Sequence, residues 1–402
     1  MKIKLLAMVA FFLLINSGCS IEPASTASPA GSDLADEILI IDTHMDSPML
    51  VHEAAGGFTL AESTGHFNYQ KAREGGLNAA FMAVYISPSM KEKGGAAELA
   101  DRMIDEIHDS IRLNPEKFAA ALTPDDIEEN FRKGLISLPI GIENGTALEE
   151  DLQKIVHYYD RGVRYMTLTH SRANAICDSS FDEDKVWGGV SPFGKKVVEE
   201  MNRLGMMIDV SHASDDAFYQ VLEISKAPVL ATHSCCRHFV PGLERNMSDE
   251  MIRKMAQSGG LIQINFCASF LDSDYADASR EISRKLRSFM EEKGLTWRDP
   301  EAVEYRKKLQ AENPLPEVPL SRVVDHIEHV VDLAGIDHVG LGSDFDGIGD
   351  AVPTGLEDVS KYRDLVREMQ DRGFTREEIE QVCGGNLLRL WKEVENRSEK
   401  EA

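Results

Sequence analysis

Histidines and carboxylates recur in this sequence where short apolar runs end. Asp42-Thr43-His44-Met45-Asp46 closes the first run and Gly141-Ile142-Glu143-Asn144 the third. Leu168-Thr169-His170 closes the fourth and Asp209-Val210-Ser211-His212 the fifth. Ala231-Thr232-His233-Ser234 closes the sixth and Gly342-Ser343-Asp344 the eighth. Residues two apart in an extended chain share a face, so His44 and Asp46 point the same way. Taken singly, such a histidine is more often a hydrogen-bonded structural residue, and such an acid a helix cap. Taken together they are costly to bury, because clustered imidazoles and carboxylates without a cation leave unsatisfied groups. Nitrogen and oxygen donors with no thiolate suit zinc. Four or five ligands exceed what one catalytic zinc takes while keeping an open position. Two metals sharing a carboxylate fit better, about 3.5–4 Å apart and holding a bridging hydroxide.

The remaining histidines carry less. His326 and His329 stand three apart in a predicted helix that precedes the last strand, outside any barrel. His338 opens the eighth run, at the wrong end for chemistry. His52, His66, His108, His157 and His238 have no spacing that links them to the set.

Something must bring six distant segments together. The apolar runs fall at 38–41, 79–86, 135–142, 165–168, 206–210, 228–231, 261–266 and 339–341. Continuous runs of this length predict strands of a parallel sheet buried on both faces. Helical spacing falls between them, at 96–113, 148–160, 192–204, 249–258 and 320–334. Eight alternations predict an α/β fold of the (β/α)8 TIM barrel type, whose enzymes place their chemistry at the C-terminal ends of the strands. A doubly wound open sheet is the alternative, but the glycine-rich phosphate loop after its first strand is absent. Residues 271–319 break the rhythm and predict a helical insertion after strand seven, over the barrel mouth. Residues 361–395 predict two C-terminal helical stretches on the outside of the barrel, followed by a charged tail over 396–402. The length of 402 residues suits such a barrel with insertions.

Composition narrows the partners. Asp plus Glu total 68 against 43 Lys plus Arg, a formal charge of -25. That field repels a phosphate backbone, which argues against nucleic-acid binding. Small zwitterions are not repelled. A hydrophobic content of 43% excludes a disordered chain.

The first residues read as a targeting segment. Lys2 and Lys4 precede an apolar run over 5–15, too short to span a bilayer as a helix. Ser17-Gly18-Cys19 follows, and a small pair before cysteine resembles the lipobox of bacterial lipoproteins, with Asn16 where leucine is usual. The reading is a signal peptide over 1–18, lipidation of Cys19 and a flexible Ser/Ala/Pro tether over 19–33. The expected location is exported and lipid-anchored to a bacterial membrane. Cys177, Cys235, Cys236, Cys267 and Cys383 then remain, an odd number with no CxxC, and their pairing is open.

Over residues 34–395 the sequence resembles the membrane (renal) dipeptidase family of zinc peptidases. The resemblance is carried by the strand-end segments above together with Arg164-Tyr165-Met166-Thr167, Ser191-Pro192-Phe193-Gly194, Arg245-Asn246 and Phe345-Asp346-Gly347. It implies that His44, Asp46 and Glu143 bind one zinc, and that Glu143, His212 and His233 bind the other. It implies a substrate-contacting role for His170, a grip on the substrate carboxylate for Arg245, and for Asp344 proton transfer to the leaving amine or a hold on the substrate ammonium. The implied reaction is hydrolysis of dipeptides by the bridging hydroxide, with tolerance for a D-residue at the C-terminal position. A homodimer is compatible with the resemblance. Gly145-Thr146 stands where mammalian members have Gly-His, and the 271–319 insertion is longer than theirs. Two other functions compete: another metal-dependent amidohydrolase, such as an N-acyl-amino-acid deacylase, and a non-catalytic solute-binding lipoprotein.

Overall fold

The computed structural model describes residues 33–54, 57–296 and 299–399. The predicted signal peptide, Cys19 and the tether up to residue 32 lie outside the described residues. Eight parallel strands carry the fold: β1 (Ile40–Met45), β2 (Leu77–Tyr85), β3 (Ile140–Glu143), β4 (Val163–Thr167), β5 (Met207–Asp209), β6 (Leu230–Ser234), β7 (Leu261–Ile264) and β8 (Val339–Leu341). Each pairs with the next in chain order from β1 to β8. All except β2 are buried at every residue, as strands with one face on a barrel interior and the other under helices must be.

The two ends of the sheet meet. Met45, the last residue of β1, bridges in parallel to Phe345 just beyond β8. The amide of Asp344 donates to the carbonyl of His44, and that of Asp46 to the carbonyl of Phe345. Below this point side chains make the seam. Asp42 accepts from the Ser343 amide at 3.0 Å and from the Tyr362 hydroxyl at 2.5 Å. The Thr43 hydroxyl lies 2.7 Å from the carbonyl of Thr232 and 3.0 Å from that of Leu341.

Except that 148–160 is helical only from Gln153 to Asp160, after a separate turn over Gly145–Leu148, the predicted helices form with small shifts of boundary. Helix Pro192–Leu204 shows why: Ser191 caps it by accepting from the Gly194 amide, proline sits in its first turn, and Gly205 ends it at φ 72°. The insertion after β7 is helical as expected, with helices Ser273–Lys293 and Pro300–Glu312 packed on one another through Ile282, Leu286, Met290 and Leu309. The predicted run 135–142 is two strands. Ile136–Ser137 pairs with Phe118–Ala119 as an extension beside β2, and Pro139 separates it from β3.

The C-terminal helices divide. Tyr362–Asp371 packs outside the barrel, as expected. Asn386–Asn396 does not. Its Leu387, Leu390 and Trp391 pack with Ile41, Ala79, Met207, Leu230 and Leu261, which occupy the N-terminal ends of five strands. This helix therefore plugs the bottom of the barrel, with Trp391 fully buried and its ring 5.5 Å from that of Phe81. Two boundaries move as well. Asp33, assigned to the tether, caps helix Leu34–Asp36 and pairs with Arg363 and Arg367. Of the predicted tail, Arg397 donates to the Lys226 carbonyl and the Glu399 amide to the Arg203 carbonyl.

Candidate metal centre

Glu143 ends β3 and stands at the middle of the mouth, 3% exposed. Its two carboxylate oxygens face different partners. Oε1 lies 3.2 Å from Nε2 of His212, 3.3 Å from Nε2 of His233 and 3.5 Å from Nε2 of His170. Oε2 lies 3.7 Å from Nε2 of His44, which is 3.8 Å from Oδ2 of Asp46. Asp344 falls within ligand distance of His44 and Asp46. Every predicted ligand thus converges on one rim, and His170 and Asp344 stand at the same distances as the ligands themselves.

Backbone geometry aims several of these groups. His212 sits at φ 67° and Asp344 at φ 65°, left-handed conformations unusual for residues with a side chain. Both turn the chain sharply at a strand end, a strain of the kind that collects at functional sites. Two glycines leave room. A Cβ on Gly347 would come within 2.1 Å of the Asp46 carboxylate and 2.5 Å of that of Asp344. A Cβ on Gly141 would fall 2.0 Å from the ring of Tyr165.

A surrounding layer orients the imidazoles. The Thr232 hydroxyl donates its only proton to Asp209 at 2.6 Å, so its oxygen accepts from Nδ1–H of His233 at 2.7 Å. That assignment leaves Nε2 of His233 with its lone pair toward the mouth. The Tyr165 hydroxyl lies 2.9 Å from Nδ1 of His44 and orients that ring in the same way. Partners of this sort on the outer nitrogen are what metal-ligating histidines have.

Without a cation the electrostatics divide the set, favouring neutral imidazoles at His212, His233 and His170 and protonated forms of His44 and Asp46. Burial and the positive charge of Arg245 lower the pKa of His212 far below its usual value. Burial, with the charge on His44, brings His233 down to about 4. Burial lowers His170 as well. Burial opposes a charge on His44, yet Glu143 and Asp46 outweigh it and raise its pKa to about 10. Burial and the neighbouring Glu143 push Asp46 well up. Burial works against ionised Glu143, but His170 and His44 beside it hold its pKa well down. Anionic Glu143 therefore stands between imidazoles held toward the neutral form on one side and a protonated His44, whose place a cation would take, on the other.

The donor set fits divalent metal. Nε2 of His44, which faces Glu143 and Asp46, and Oδ1 of Asp46 are buried with no hydrogen-bond partner. Orphaned donors and acceptors in one pocket are what a cation resolves.

The cleft above the centre has a volume of about 430 Å³ and is lined by Tyr85, His170, Phe181, Cys267 and Phe270 beside the carboxylates. That size takes a small ligand. Arg245 lies behind this wall, 3% exposed and 5.2 Å over the ring of Phe270. Its guanidinium donates to the Ser234 hydroxyl at 2.7 Å and to the His233 carbonyl at 2.6 Å, and its Nε–H has no partner. The five cysteines in the barrel are buried free thiols. Discounted His326 is a structural residue, holding the Cys236 amide on Nδ1 and the Leu271 carbonyl on Nε2.

The sequence reading missed four contributors. Tyr85 ends β2 and packs edge-on against His170, ring centroids 4.9 Å apart. Asn265 follows β7 and donates to Asp344 at 2.8 Å. Tyr165 and Thr232 lay inside quoted motifs without a role. Their signal was position: each stands within two residues of a strand end or on the inward face.

A parallel barrel with this rim of imidazole and carboxylate groups defines a metal-dependent hydrolase. The family profile described as membrane dipeptidase, peptidase family M19, matches residues 30–402, and the chain belongs to that family. It is 32% identical over 342 residues to the dipeptidase aclJ of Aspergillus oryzae, covering 83% of this chain and 71% of that one. The probable dipeptidase PvdM from Pseudomonas aeruginosa superposes with a TM-score of 0.78 at 29% identity, over 91% of this chain and 97% of that one. A metallo peptidase from Rhodobacter sphaeroides, solved with a phosphinate mimic of the dipeptide L-Ala-D-Ala, shares the fold at a TM-score of 0.73 and 23% identity, over 89% and 99%. The chain is a metallo-dipeptidase.

Proposed function

We propose that this enzyme hydrolyses dipeptides, including those with a D-residue at the C-terminal position, at a centre of two zinc ions shared across Glu143. The observation that carries the reading is the division of the Glu143 carboxylate, one oxygen facing His212 and His233, the other His44. His44, Asp46 and Glu143 would hold one ion, and Glu143, His212 and His233 the other. When bound, the two ions supply Lewis acidity and an activated water to attack the peptide carbonyl.

The chain's own groups do the rest. His170 reaches into the cleft and donates a hydrogen bond to the carbonyl oxygen as charge develops there. Arg245 draws the free carboxylate of the substrate toward its side of the cleft through charge-assisted hydrogen bonds. That selects short substrates, since a longer peptide has no carboxylate at that place. Asp344, oriented by Asn265, takes the substrate ammonium or returns a proton to the leaving amine. The apolar rings of Phe181 and Phe270 exclude water around the scissile bond.

The protein is also proposed to be exported and held at a membrane by lipid on Cys19, on the strength of Ser17-Gly18-Cys19 after a short apolar run. Cys19→Ala should move it from the membrane fraction to the soluble exported fraction. For the activity, elemental analysis should find two zinc ions per chain, and a panel of L,L and L,D dipeptides should release free amino acids. Chelation should abolish turnover and added zinc restore it. Cleavage of N-acetyl amino acids with intact dipeptides would instead identify a deacylase. Bound metal without turnover on either panel would identify a binding protein.

A further inference from the structure

A second group of ligand-type side chains lies away from the cleft. His238 follows β6, Asp249 opens helix Asp249–Gln257, and His329 lies on helix Ser321–Ala334. Each offers one ligand atom, and the three atoms lie within 4.8 Å of one another. Nε2 of His329 is 2.9 Å from Oδ1 of Asp249. The rings of His238 and His329 stack, with centroids 4.4 Å apart and planes 26° from parallel. None of the three lines the catalytic cleft.

We propose that His238, Asp249 and His329 form a peripheral site for one divalent transition-metal ion, with zinc as its occupant. Two imidazoles and one carboxylate are a zinc-type donor set that leaves a fourth position for water. Tetrahedral bonds of 2.0–2.1 Å place neighbouring ligand atoms about 3.3 Å apart. The exposed ring of His238 has the freedom to close that gap by a side-chain rotation. An ion pair alone accounts for His329 and Asp249 but not for His238. Stacking a second titratable ring beside the same carboxylate becomes favourable when one cation takes a nitrogen from each. The loop is also seated for the purpose: Phe239 packs on His326 at 4.3 Å and edge-on to His329 at 5.5 Å.

The site joins a loop and two helices, and the loop leads to Arg245, which stands behind the cleft wall. The segment from His238 to Asp249 includes Arg245. An ion held at its two ends fixes that segment against helix Ser321–Ala334, so zinc at the surface braces the Arg245 loop.

The test uses the full protein with its buried centre already loaded. Equilibrium dialysis against micromolar free zinc, followed by elemental analysis, should find one ion more in the wild type than in His238→Gln, and one more than in His329→Gln. Added zinc should raise the thermal midpoint of the wild type and not of His238→Gln. Turnover without added zinc should be the same in His238→Gln and the wild type. Equal stoichiometries in all three proteins overturn the site. Because the readout is a difference between proteins, it does not depend on how many ions the buried centre holds.

Discussion

The hydroxyl of Thr232 stands between the Asp209 carboxylate and Nδ1 of His233, 2.6 Å from one and 2.7 Å from the other. It fixes the tautomer that leaves Nε2 of His233 with its lone pair, as the proposed ligand role requires. Thr232→Val keeps the shape and removes the relay. Losing an outer partner of a metal-bound histidine typically costs 10–100-fold in metal affinity or activity. Zinc affinity of the variant, measured by competition with a chromophoric chelator, should fall by about that factor. Unchanged affinity would show that Asp209 and Thr232 serve only the fold.

Glu143→Gln replaces one carboxylate oxygen by an NH2 group that cannot ligate and would repel a cation. Zinc content should fall to roughly half or less of wild type, and dipeptide hydrolysis should vanish. A variant that keeps full zinc would remove Glu143 from the bridging position.

Arg245→Ala should lower kcat/KM on free dipeptides about 10- to 100-fold, the worth of a hydrogen bond to a charged group. Dipeptide amides, which lack the carboxylate, should be hydrolysed no worse by the variant than by wild type. Arg245 also donates to Ser234 and the His233 carbonyl, so zinc content is the control. Equal loss on both substrate types at full zinc would contradict the assigned grip.

Gly141→Ala places a methyl 2.0 Å from the buried ring of Tyr165. Overpacking of this kind costs about 1–3 kcal/mol. It also displaces the hydroxyl that orients His44, so the midpoint of urea unfolding and zinc affinity should fall together. A stability loss with unaltered zinc binding would separate Tyr165 from the centre.

Burial brings the pKa of His326 from 6.5 down to about 3. Between those values the unfolded chain binds the proton and the folded chain does not. Stability from this residue is therefore whole above pH 6.5 and is lost as the pH falls, by about 1.4 kcal/mol per unit. His326→Gln can keep both hydrogen bonds without titrating. Its unfolding free energy should fall less steeply than that of wild type between pH 6 and 4, read by urea titration at each pH. Parallel slopes would refute the assignment.

Much of the barrel was legible because burial on both faces leaves a simple mark: β7 and β8 begin where their apolar runs begin, at Leu261 and Val339. The convergence of these imidazoles and carboxylates was legible for a related reason, since ionisable residues at the ends of apolar runs collect at the rim. Alternation explains His44 and Asp46 but not His212, which reaches the mouth through a left-handed turn that no periodicity encodes. The bottom plug escaped because Leu387, Leu390 and Trp391 repeat like any amphipathic helix, and the pattern does not say which apolar surface they meet. Asn265 escaped because an amide lacks the chemical signature of an imidazole or a carboxylate. His238 escaped because the ring it stacks on, His329, lies far along the chain.

The barrel closes where its first strand meets the segment after its last, through Met45 and Phe345. Asp46 and Asp344, on the two sides of that seam, face the same cluster. A ribosome must therefore synthesise almost the entire body before the rim exists. Until then His44 and Glu143 belong to an open, sticky half-cylinder whose edges invite wrong pairings. Acquisition of metal is in this way a late event, and a report that the ring has shut.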